Sequence, residues 1–486
     1  MIGRDEVLEL AREFQLAANV VEKDYALGWV LAGIANHPAL RDSWVFKGGT
    51  CLKKCYFETY RFSEDLDFTL RDPAHLDQAF LDATFAEIAE WVLETAGLEL
   101  PADSRRFEIY ENNRGHSAGE GRLGYRGPLG RGGDPPRIKL DLASDELLVL
   151  EPVRRPVHHP YSDVPEAGID ALCYAFEEVY AEKVRALAER QRPRDLYDVI
   201  HLHRRDDLTP DRGIVRTTLQ RKCEFKGIGV PTLAMLQNRP ERQAIETEWE
   251  QMLAHQLPSC PPFAQFWAEL PAVFASLAEE LPAPFTAVVV RATPMAAIAL
   301  AAPGEEVDET WRAPAMAVRW GYQVPLEVIR FAASNHLCVE LGYQGSTRMI
   351  EPYSLRRSKA GNVLLYAVRT DNGQLRAYRV DRIQSARVSD RPFTPRYRVE
   401  ISRGGQTLAM PVISRPSTPV ARIRTTSPRR RAVRHVGLGA PKHRFACPVC
   451  HKTFTRKEYD ASLNEHKNRN GMPCFGRYGI YRGLVS

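Results

Sequence analysis

The sequence of 486 residues lacks the long apolar run that a membrane-spanning helix requires. A candidate stretch such as 287–302 is interrupted by Arg291 and Pro294, whereas a spanning helix needs about 20 largely apolar residues in succession. The opening segment, MIGRDEVLEL, is charged and contains no apolar core of the kind found in secretion signals. We therefore expect a cytoplasmic protein with no membrane partner.

Cysteine is also scarce, with nine residues in the whole chain, and this excludes a disulfide scaffold at this length. Three of the nine, Cys447, Cys450 and Cys474, fall in the last 40 residues, which indicates a metal site in a reducing compartment. The hydrophobic fraction of 44% and the charged fraction of 26% exclude wholesale disorder.

Acidic residues are rare only at the C-terminal end. Residues 401–486 contain 17 Lys and Arg against three Asp and Glu, so the rest of the chain is net acidic although the total charge is +5. The basic end, with the run Arg429, Arg430 and Arg431, predicts binding of nucleic acid, either RNA or DNA. Binding of nucleic acid does not explain the excess of acidic residues in the rest of the chain.

Hydrophobic patterning predicts an α+β multidomain protein, and the length suggests about three domains. Five segments differ in composition. The predicted segments are 1–260, with mixed helices and strands; 261–310, a helical connector whose helix covers Phe263–Leu281; 311–400, a small sheet or β-barrel; 401–440, a basic linker; and 441–486, a compact Cys/His module.

The first motif is a glycine turn between a strand and a helix. We predict a strand over Ser43–Phe46, a tight turn at Gly48 and Gly49, and a helix over Leu52–Phe57 capped by Thr50. Backbone N–H groups at a helix start attract phosphate oxygens, and glycine lets the phosphate approach closely. The candidate nucleotide-binding residues are Lys47, Gly48, Gly49 and Thr50.

The second motif is a set of carboxylates on strands. Asp65 and Asp67 alternate with Leu66 and Phe68, which places both carboxylates on one face of a strand, and Asp141 has the same alternation in RIKLDL. Three such groups on adjacent strands can hold Mg²⁺ and a triphosphate for in-line transfer. A lone Asp-x-Asp is more often a solvated strand face, but its conjunction with the glycine turn favours catalysis.

A buried lysine supports the second motif. Residues 175–190 form an amphipathic helix, and Lys183 projects from the middle of its apolar stripe. A buried ammonium requires an anion, which a triphosphate would supply; otherwise Lys183 reaches solvent or pairs with Asp195. Asp195 opens the next helix and could cap it, orient Lys183 or accept a proton from an incoming hydroxyl.

Four motifs occur in order along the chain: KGGTCLKKCYF, RFSEDLDF, KLDL, and AEKVRAL with RPRDLYD. Together they resemble the AbiEii/MenT nucleotidyltransferases, which are toxins of type IV toxin–antitoxin and abortive-infection systems. The resemblance covers about residues 15–205 and implies a polymerase-β-like core with a helical bundle behind it. It implies an NTP substrate, a divalent cation (Mg²⁺ or Mn²⁺), a cognate antitoxin and, as acceptor, the 3′ end of tRNA.

The resemblance also implies roles for individual residues. Asp65 and Asp67 correspond to metal ligands, Asp141 to the third acidic position, Lys183 to the triphosphate lysine and Asp195 to the last catalytic acid. The turn departs from the frequent Gly-Ser pattern because Thr50 follows Gly49, but threonine retains a hydroxyl for phosphate contact.

Arginines and tyrosines are interleaved in the predicted β domain. This composition suits a site for phosphate, nucleotide or single-stranded nucleic acid, although a basic solvated edge has the same pattern. The segments EPYSL and YRVDRI resemble a WYL domain over about residues 320–390, with LLYAV in place of the Trp-Tyr-Leu triplet, and imply an Sm-like barrel with a sensory or nucleic-acid-binding role. The candidate ligand-binding residues are Arg348, Arg376, Arg379 and Arg382, interleaved with Tyr343, Tyr353 and Tyr378.

The C-terminal module contains a CPVC knuckle. The module contains a Cys₃His set with spacing that suits structural Zn²⁺, formed by Cys447, Cys450, His466 and Cys474. His451 is a competing ligand. A segment this short has almost no core, so a metal would supply its folding energy.

The interpretation that these motifs favour is a nucleotidyltransferase toxin acting on tRNA in a toxin–antitoxin or phage-defence system. Two alternatives remain open at the level of sequence. One is a WYL-type regulator or sensor of a defence locus, with the transferase core as scaffold. The other is an enzyme that transfers AMP to a protein hydroxyl, because the carboxylates are equally suited to either acceptor.

Overall fold

The computed structural model describes residues 1–57, 59–112, 115–205, 208, 210–237, 241–278 and 326–400, and, within the C-terminal module, 442–447, 450, 452–456, 463–464, 466–467, 473–474 and 480–485. The chain divides into two compact units, Met1–Pro411 and Val412–Ser486. Arg429, Arg430, Arg431 and His451 lie outside the described residues, as does most of the predicted connector. Over the described part of the chain, no helix combines the length and apolarity needed to cross a membrane.

The first unit begins with a mixed sheet and its surrounding helices. The strands of this sheet are β1 (Trp44–Lys47), β2 (Asp65–Leu70), β3 (Arg105–Glu111), β4 (Ser117–Gly124), β5 (Arg137–Ala143), β6 (Val153–Pro156) and β7 (Asp170–Cys173). The helices are α1 (Arg4–Phe14), α2 (Ala18–Asn36), α3 (Gly48–Cys51), α4 (Gln78–Ala96), α5 (Phe176–Arg190), α6 (Pro193–Arg204), α7 (Arg212–Lys226), α8 (Leu233–Gln237), α9 (Glu241–Leu253) and α10 (Phe263–Leu277).

The strand order of this sheet is β3-β4-β5-β2-β1-β7-β6. Strand β2 runs parallel to β5 and β1 parallel to β7, and the other neighbours are antiparallel. Alternation in β5 follows the predicted pattern, since Ile138, Leu140 and Leu142 are buried while the residues between them are half-buried. The apolar helix α2 packs against α4 and the sheet.

The helices that follow the sheet form a bundle in which α6 contacts α5, α9 and α10. The predicted helices at residues 175–190 and from Phe263 onward are confirmed as α5 and α10. The α+β class, with a helical part behind the sheet, is therefore confirmed.

The β domain of the first unit starts with a short helix and continues as five antiparallel strands in the order β11-β10-β9-β8-β12. Among the described residues no hydrogen-bonded ladder joins β11 to β12, so the domain is an open sheet rather than a closed barrel. Its elements are α11 (Leu326–Ser334), β8 (Leu337–Tyr343), β9 (Ser346–Arg357), β10 (Val363–Arg369), β11 (Leu375–Arg379) and β12 (Ile383–Pro392).

The second unit contains two small antiparallel sheets. One has the order β14-β13-β17 and the other pairs β15 with β16, which places His466 opposite Cys474. Their strands are β13 (Lys442–Ala446), β14 (Thr453–Arg456), β15 (His466–Lys467), β16 (Pro473–Cys474) and β17 (Ile480–Val485).

Candidate active site

Sheet register aligns charged residues across four adjacent strands. Lys47 on β1 lies opposite Asp67 on β2, Asp67 lies opposite Asp141 on β5, and Asp141 lies opposite Glu120 on β4. Residues directly opposite each other in a ladder share a face of the sheet. Asp65 precedes Asp67 by two positions and therefore shares that face. We call Asp65, Asp67 and Asp141 the carboxylate row.

Asp67 and Asp141 face a cleft of about 360 Å³ between the sheet and helix α5. Gly48 and Gly49 form part of the same wall, and α5 contributes Lys183. Asp65 does not line this cleft, although the sheet places it beside Asp67. This volume lies within the range of about 300–1,000 Å³ that is typical of small-molecule sites.

The glycine turn is packed closely against Asp67. Gly48 has φ of +79°, and a Cβ atom at this position would lie 2.0 Å from Asp67 Oδ2. At Gly49 a Cβ would lie 2.5 Å from Arg61 Nη2. Both positions therefore require glycine, the first for its backbone conformation as well as for space.

The prediction that Thr50 caps a helix is wrong. Helix α3 already begins at Gly48, and a π-helical turn, Leu52–Tyr56, continues it. Thr50 lies inside the helix, is buried, and donates its hydroxyl proton to the backbone oxygen of Asp65. Glycine, rather than threonine, can take the left-handed conformation that starts this helix. The Thr50 side chain thus anchors the helix to β2 and does not line the cleft.

Burial and repulsion between carboxylates make the charged forms of Asp65 and Asp67 less favourable. Burial raises the pKa of Asp67 to about 6; Lys47 opposes the shift and the nearby Asp141 carboxylate adds to it. Burial also raises the pKa of Asp65. Carboxylates with raised pKa values in a cleft are common at functional sites, and a divalent cation would relieve the repulsion between them.

Two lysines flank the row, and one of them pairs with a member of it. Lys139 Nζ lies 2.9 Å from Asp141 Oδ1 and 3.1 Å from Glu120 Oε2, and Lys47 is paired with Glu146. The carboxylate oxygens of the row do not all lie within 4.8 Å of one another, whereas two cysteine-containing clusters among the described residues meet that distance. Within the row, Asp141 forms an ion pair with a lysine, whereas Asp65 and Asp67 have no lysine ion pair among the described residues.

Lys183 belongs to a buried ion-pair network, which we define as Arg61, Lys183, Arg190, Asp195 and Asp198. Lys183 Nζ lies 2.7 Å from Asp198 Oδ2 and 3.4 Å from Asp195 Oδ1. Arg61 binds both oxygens of Asp198, at 2.7 and 2.8 Å, and Arg190 Nε lies 2.7 Å from Asp195 Oδ2. The pairing of Lys183 with Asp195, one of the two alternatives for this lysine, is therefore present.

The network lowers the pKa of both its carboxyl groups. Burial alone would raise the pKa of Asp195, but Lys183 and Arg190 more than offset it. The same balance, with Arg61 and Lys183 as the cations, lowers the pKa of Asp198. Lys183 and Arg190 also line the cleft, whereas Asp195 and Asp198 lie behind them.

Sequence reasoning missed Asp198, Arg190 and Glu146. Asp198 follows Asp195 by three residues on the same helix, and this spacing was the available signal for a second carboxylate near Lys183. Arg190 is the last residue of α5, and its position in the sequence gave no signal for a role in the cleft. Glu146, which accepts hydrogen bonds from Thr69 and Tyr174 as well as from Lys47, follows β5 without any pattern of its own.

The arginines of the β domain are only partly brought together. Arg348 donates to the Tyr343 backbone oxygen at 2.7 Å, and the Tyr343 ring meets Tyr378 edge-on at 5.1 Å. Arg379 donates its backbone N–H to the Tyr343 hydroxyl, while its guanidinium pairs with Asp381. Arg376 and Arg382 are exposed, and Tyr353 is instead buried in a separate small core.

The four predicted zinc ligands converge in the C-terminal unit. One ligand atom from each of Cys447, Cys450, His466 and Cys474 lies within 4.8 Å of the others, and the Cys447 and Cys474 sulfurs are 3.7 Å apart. Nδ1 of His466 lies 2.9 Å from the Asn464 backbone oxygen, while its Nε2 is buried with no hydrogen-bond partner among the described residues. A histidine ligand typically donates its second N–H to such an oxygen, so this cluster fits a metal ion.

Comparisons with known proteins define the class as nucleotidyltransferase. The family model described as nucleotidyl transferase AbiEii toxin, type IV toxin–antitoxin system, matches residues 29–273, just over half of the chain. The chain therefore belongs to the AbiEii nucleotidyltransferase toxin family. The WYL domain model matches residues 325–388, which contain helix α11, strands β8 to β11 and the first part of β12.

Two solved structures with similarity to the chain are MenT4, a nucleotidyltransferase toxin from Mycobacterium tuberculosis H37Rv, and JHP933 from Helicobacter pylori. MenT4 is 22% identical with a TM-score of 0.40, over 57% of this chain and 90% of that one. JHP933 is 17% identical with a TM-score of 0.35, over 54% of this chain and 93% of that one. No curated protein sequence matches the chain.

Proposed function

We propose that this protein transfers a nucleoside monophosphate from an NTP to the 3′ end of tRNA, in a bacterial toxin–antitoxin or phage-defence system. The observation that carries the proposal is the alignment of Asp67 with Asp141 on adjacent strands, beside a glycine turn and at the wall of the cleft. In the reaction, the 3′ hydroxyl oxygen of the acceptor attacks the α-phosphorus of the NTP, the bond from that phosphorus to the β-phosphate oxygen breaks, pyrophosphate leaves, and the hydroxyl proton passes to solvent.

The carboxylate row would hold the divalent cation. Oxygen donors are the ligands that Mg²⁺ and Mn²⁺ prefer, and the raised pKa of Asp67 indicates a carboxylate whose charge lacks a close partner. When bound, the cation would supply charge stabilisation for the phosphate oxygens of the transferred group. Asp65, Asp67 and Asp141 are the proposed ligands.

The remaining contacts to the triphosphate would come from the turn and from helix α5. Gly48 and Gly49 leave room for a phosphate to approach the backbone, and Lys47 stands at the end of β1 beside them. Lys183 and Arg190 place two cations at the opposite wall. Asp195, which is buried and bonded to both cations, would orient them rather than contact the acceptor.

The acceptor and partners are inferred from charge and family. The basic segment from residue 401 onward would bind the phosphate backbone of RNA or DNA in a salt-dependent way. Arg348, Arg376, Arg379 and Arg382 would extend this capacity to the WYL domain. A cognate antitoxin is expected from the type IV toxin–antitoxin family.

We further propose that Cys447, Cys450, His466 and Cys474 hold a structural Zn²⁺ ion. The unpartnered Nε2 of His466 and the 3.7 Å sulfur separation both support this ligand set, because Zn–S bonds of about 2.3 Å in a tetrahedron place sulfurs slightly under 4 Å apart.

Labelled NTPs test the transfer directly. The purified chain is incubated with each α-labelled NTP, Mg²⁺ and total cellular RNA, and the label is followed into RNA and into protein. We expect label on tRNA with the wild type and at least a 100-fold loss with Asp67→Asn. Asp170→Asn, the same change at an exposed position of the same sheet, should keep full activity.

Each other outcome identifies a competing function. Label on protein but not on RNA would support an AMP-transferring enzyme. Equal labelling by the wild type and Asp67→Asn would refute the proposed site. No labelling by either protein, together with binding to its own promoter DNA in a gel shift, would support the regulator with an inactive transferase core.

A further inference from the structure

A second cysteine cluster lies in the core directly behind the glycine turn. Cys51 and Cys55 are four residues apart where α3 continues into the π-helical turn, and Cys173 is the last residue of β7. All three side chains are buried, and their sulfur atoms lie within 4.8 Å of one another. None of these cysteines forms a disulfide.

One arginine, Arg155, lies beside the cluster. Arg155 donates from Nε to the Cys55 backbone oxygen at 3.0 Å, and its guanidinium lies 4.6 Å from the centre of the Tyr56 ring. Within the cluster, hydrogen bonds from Cys51 and Cys55 lower the pKa of Cys173, whereas burial raises the pKa of Cys51 and the hydrogen bond to Cys173 raises that of Cys55, so the three thiols do not all ionise without a cation.

The charge of the cluster determines which charge a bound thiophilic ion must carry. Three thiolates in an apolar core would leave a large uncompensated negative charge. A divalent ion together with the Arg155 guanidinium balances the three negative charges, whereas a monovalent ion does not. Sulfur ligands favour Zn²⁺ among the divalent ions that are common in a reducing compartment.

We propose that Cys51, Cys55 and Cys173 form a second thiolate site that binds a thiophilic divalent cation such as Zn²⁺. Binding displaces the remaining thiol protons to solvent and forms metal–sulfur bonds without any change of oxidation state. The ion would join β7 to the helix that starts at Gly48, and so would fix the turn on which Asp67 packs. The proposal is independent of the transferase chemistry.

Metal content separates this site from the C-terminal cluster. The full chain is expressed with zinc, desalted, and its zinc measured per chain, in a background with Cys447→Ser and Cys474→Ser that removes the C-terminal ligands. We expect about one equivalent in that background and loss of it when Cys51→Ala or Cys173→Ala is added. Cys223→Ala, which removes a buried cysteine of α7 outside both clusters, should retain the equivalent.

A cadmium titration requires no change in the buried cluster. The background variant is stripped of zinc and titrated with Cd²⁺, and the thiolate-to-cadmium charge-transfer absorbance is recorded. We expect saturation at one equivalent with an intensity of about three thiolates per ion. Absence of this absorbance, or unchanged zinc content in both alanine variants, would overturn the proposal and identify the cluster as core thiols.

Discussion

The carboxylate row and the ion-pair network are built from the same residue types in the same domain, but they differ in electrostatic state. Asp67 has a raised pKa because it is buried beside another carboxylate, whereas Asp195 and Asp198 have lowered pKa values because cations contact them. Burial alone therefore does not distinguish structural charges from functional ones. The network pairs each of its carboxylates with a cation, whereas in the row Asp141 alone forms an ion pair with a lysine among the described residues.

The largest effect on stability should come from the network. Asp198→Asn removes the charge that binds both Arg61 and Lys183, and leaves two buried cations without their main partner. We expect a loss of about 3–5 kcal/mol in the free energy of unfolding, measured by denaturant titration without divalent cations. Asp170→Asn is the control, and a loss below about 1 kcal/mol for Asp198→Asn would contradict the distinction between the two sets.

A substitution in the carboxylate row should change the free energy of unfolding in the opposite direction. Asp67→Asn removes a buried charge that is unfavourable without a cation, so it should raise the free energy of unfolding at pH 8 by up to about 3 kcal/mol. The pKa shift from 3.8 to about 6 sets this limit. The measurement is the same denaturant titration in the presence of a chelator. Destabilisation by Asp67→Asn would show that Asp67 is already satisfied in the metal-free protein.

The pH dependence sharpens this prediction. Folded Asp67 retains its proton up to about pH 6, whereas the unfolded carboxyl group loses it near pH 4. The folded state therefore binds more protons between these values, and its stability from this group falls as pH rises from 4 to 6. The gain from Asp67→Asn should accordingly be greatest above pH 6 and should shrink towards zero near pH 4. An increase in the free energy of unfolding that does not depend on pH would show that Asp67→Asn acts through packing instead.

The smallest effect should come from Lys139, which contacts Asp141 and Glu120 but is partly exposed. Lys139→Gln should change the free energy of unfolding by less than about 1 kcal/mol, because exposed ion pairs contribute little. Since Lys139 competes with a cation for Asp141, the same variant should bind Mn²⁺ a few-fold more tightly. Weaker Mn²⁺ binding would instead make Lys139 a support for the row.

Local pattern was sufficient to predict the elements of the site. Alternation placed Asp65, Asp67 and Asp141 on strands with the correct faces, and the apolar stripe placed Lys183 on a buried helix face. The convergence of Cys447, Cys450, His466 and Cys474 was predicted from the spacing of CPVC with His466 and Cys474. These features depend on the chain's periodicity and spacing, which the sequence contains.

Contacts between distant segments were not predictable in the same way. The in-register pairing of Asp67 with Asp141 depends on the order of strands in the sheet, and the capture of Lys183 by Asp198 depends on how α5 and α6 pack. Thr50 was assigned to the wrong position because the left-handed conformation of Gly48 starts the helix two residues earlier. Cys173 lies more than a hundred residues from Cys51, and no local pattern relates them.

Electron paramagnetic resonance of Mn²⁺ tests the central claim most directly, because it reports cation binding independently of the acceptor. The full chain is titrated with Mn²⁺ in the presence of a non-hydrolysable NTP, and free Mn²⁺ is measured for the wild type, Asp67→Asn and Asp170→Asn. We predict nucleotide-dependent Mn²⁺ binding by the wild type and Asp170→Asn and a loss of at least tenfold in affinity for Asp67→Asn. Equal binding by all three proteins would contradict the assignment of the carboxylate row as the cation site.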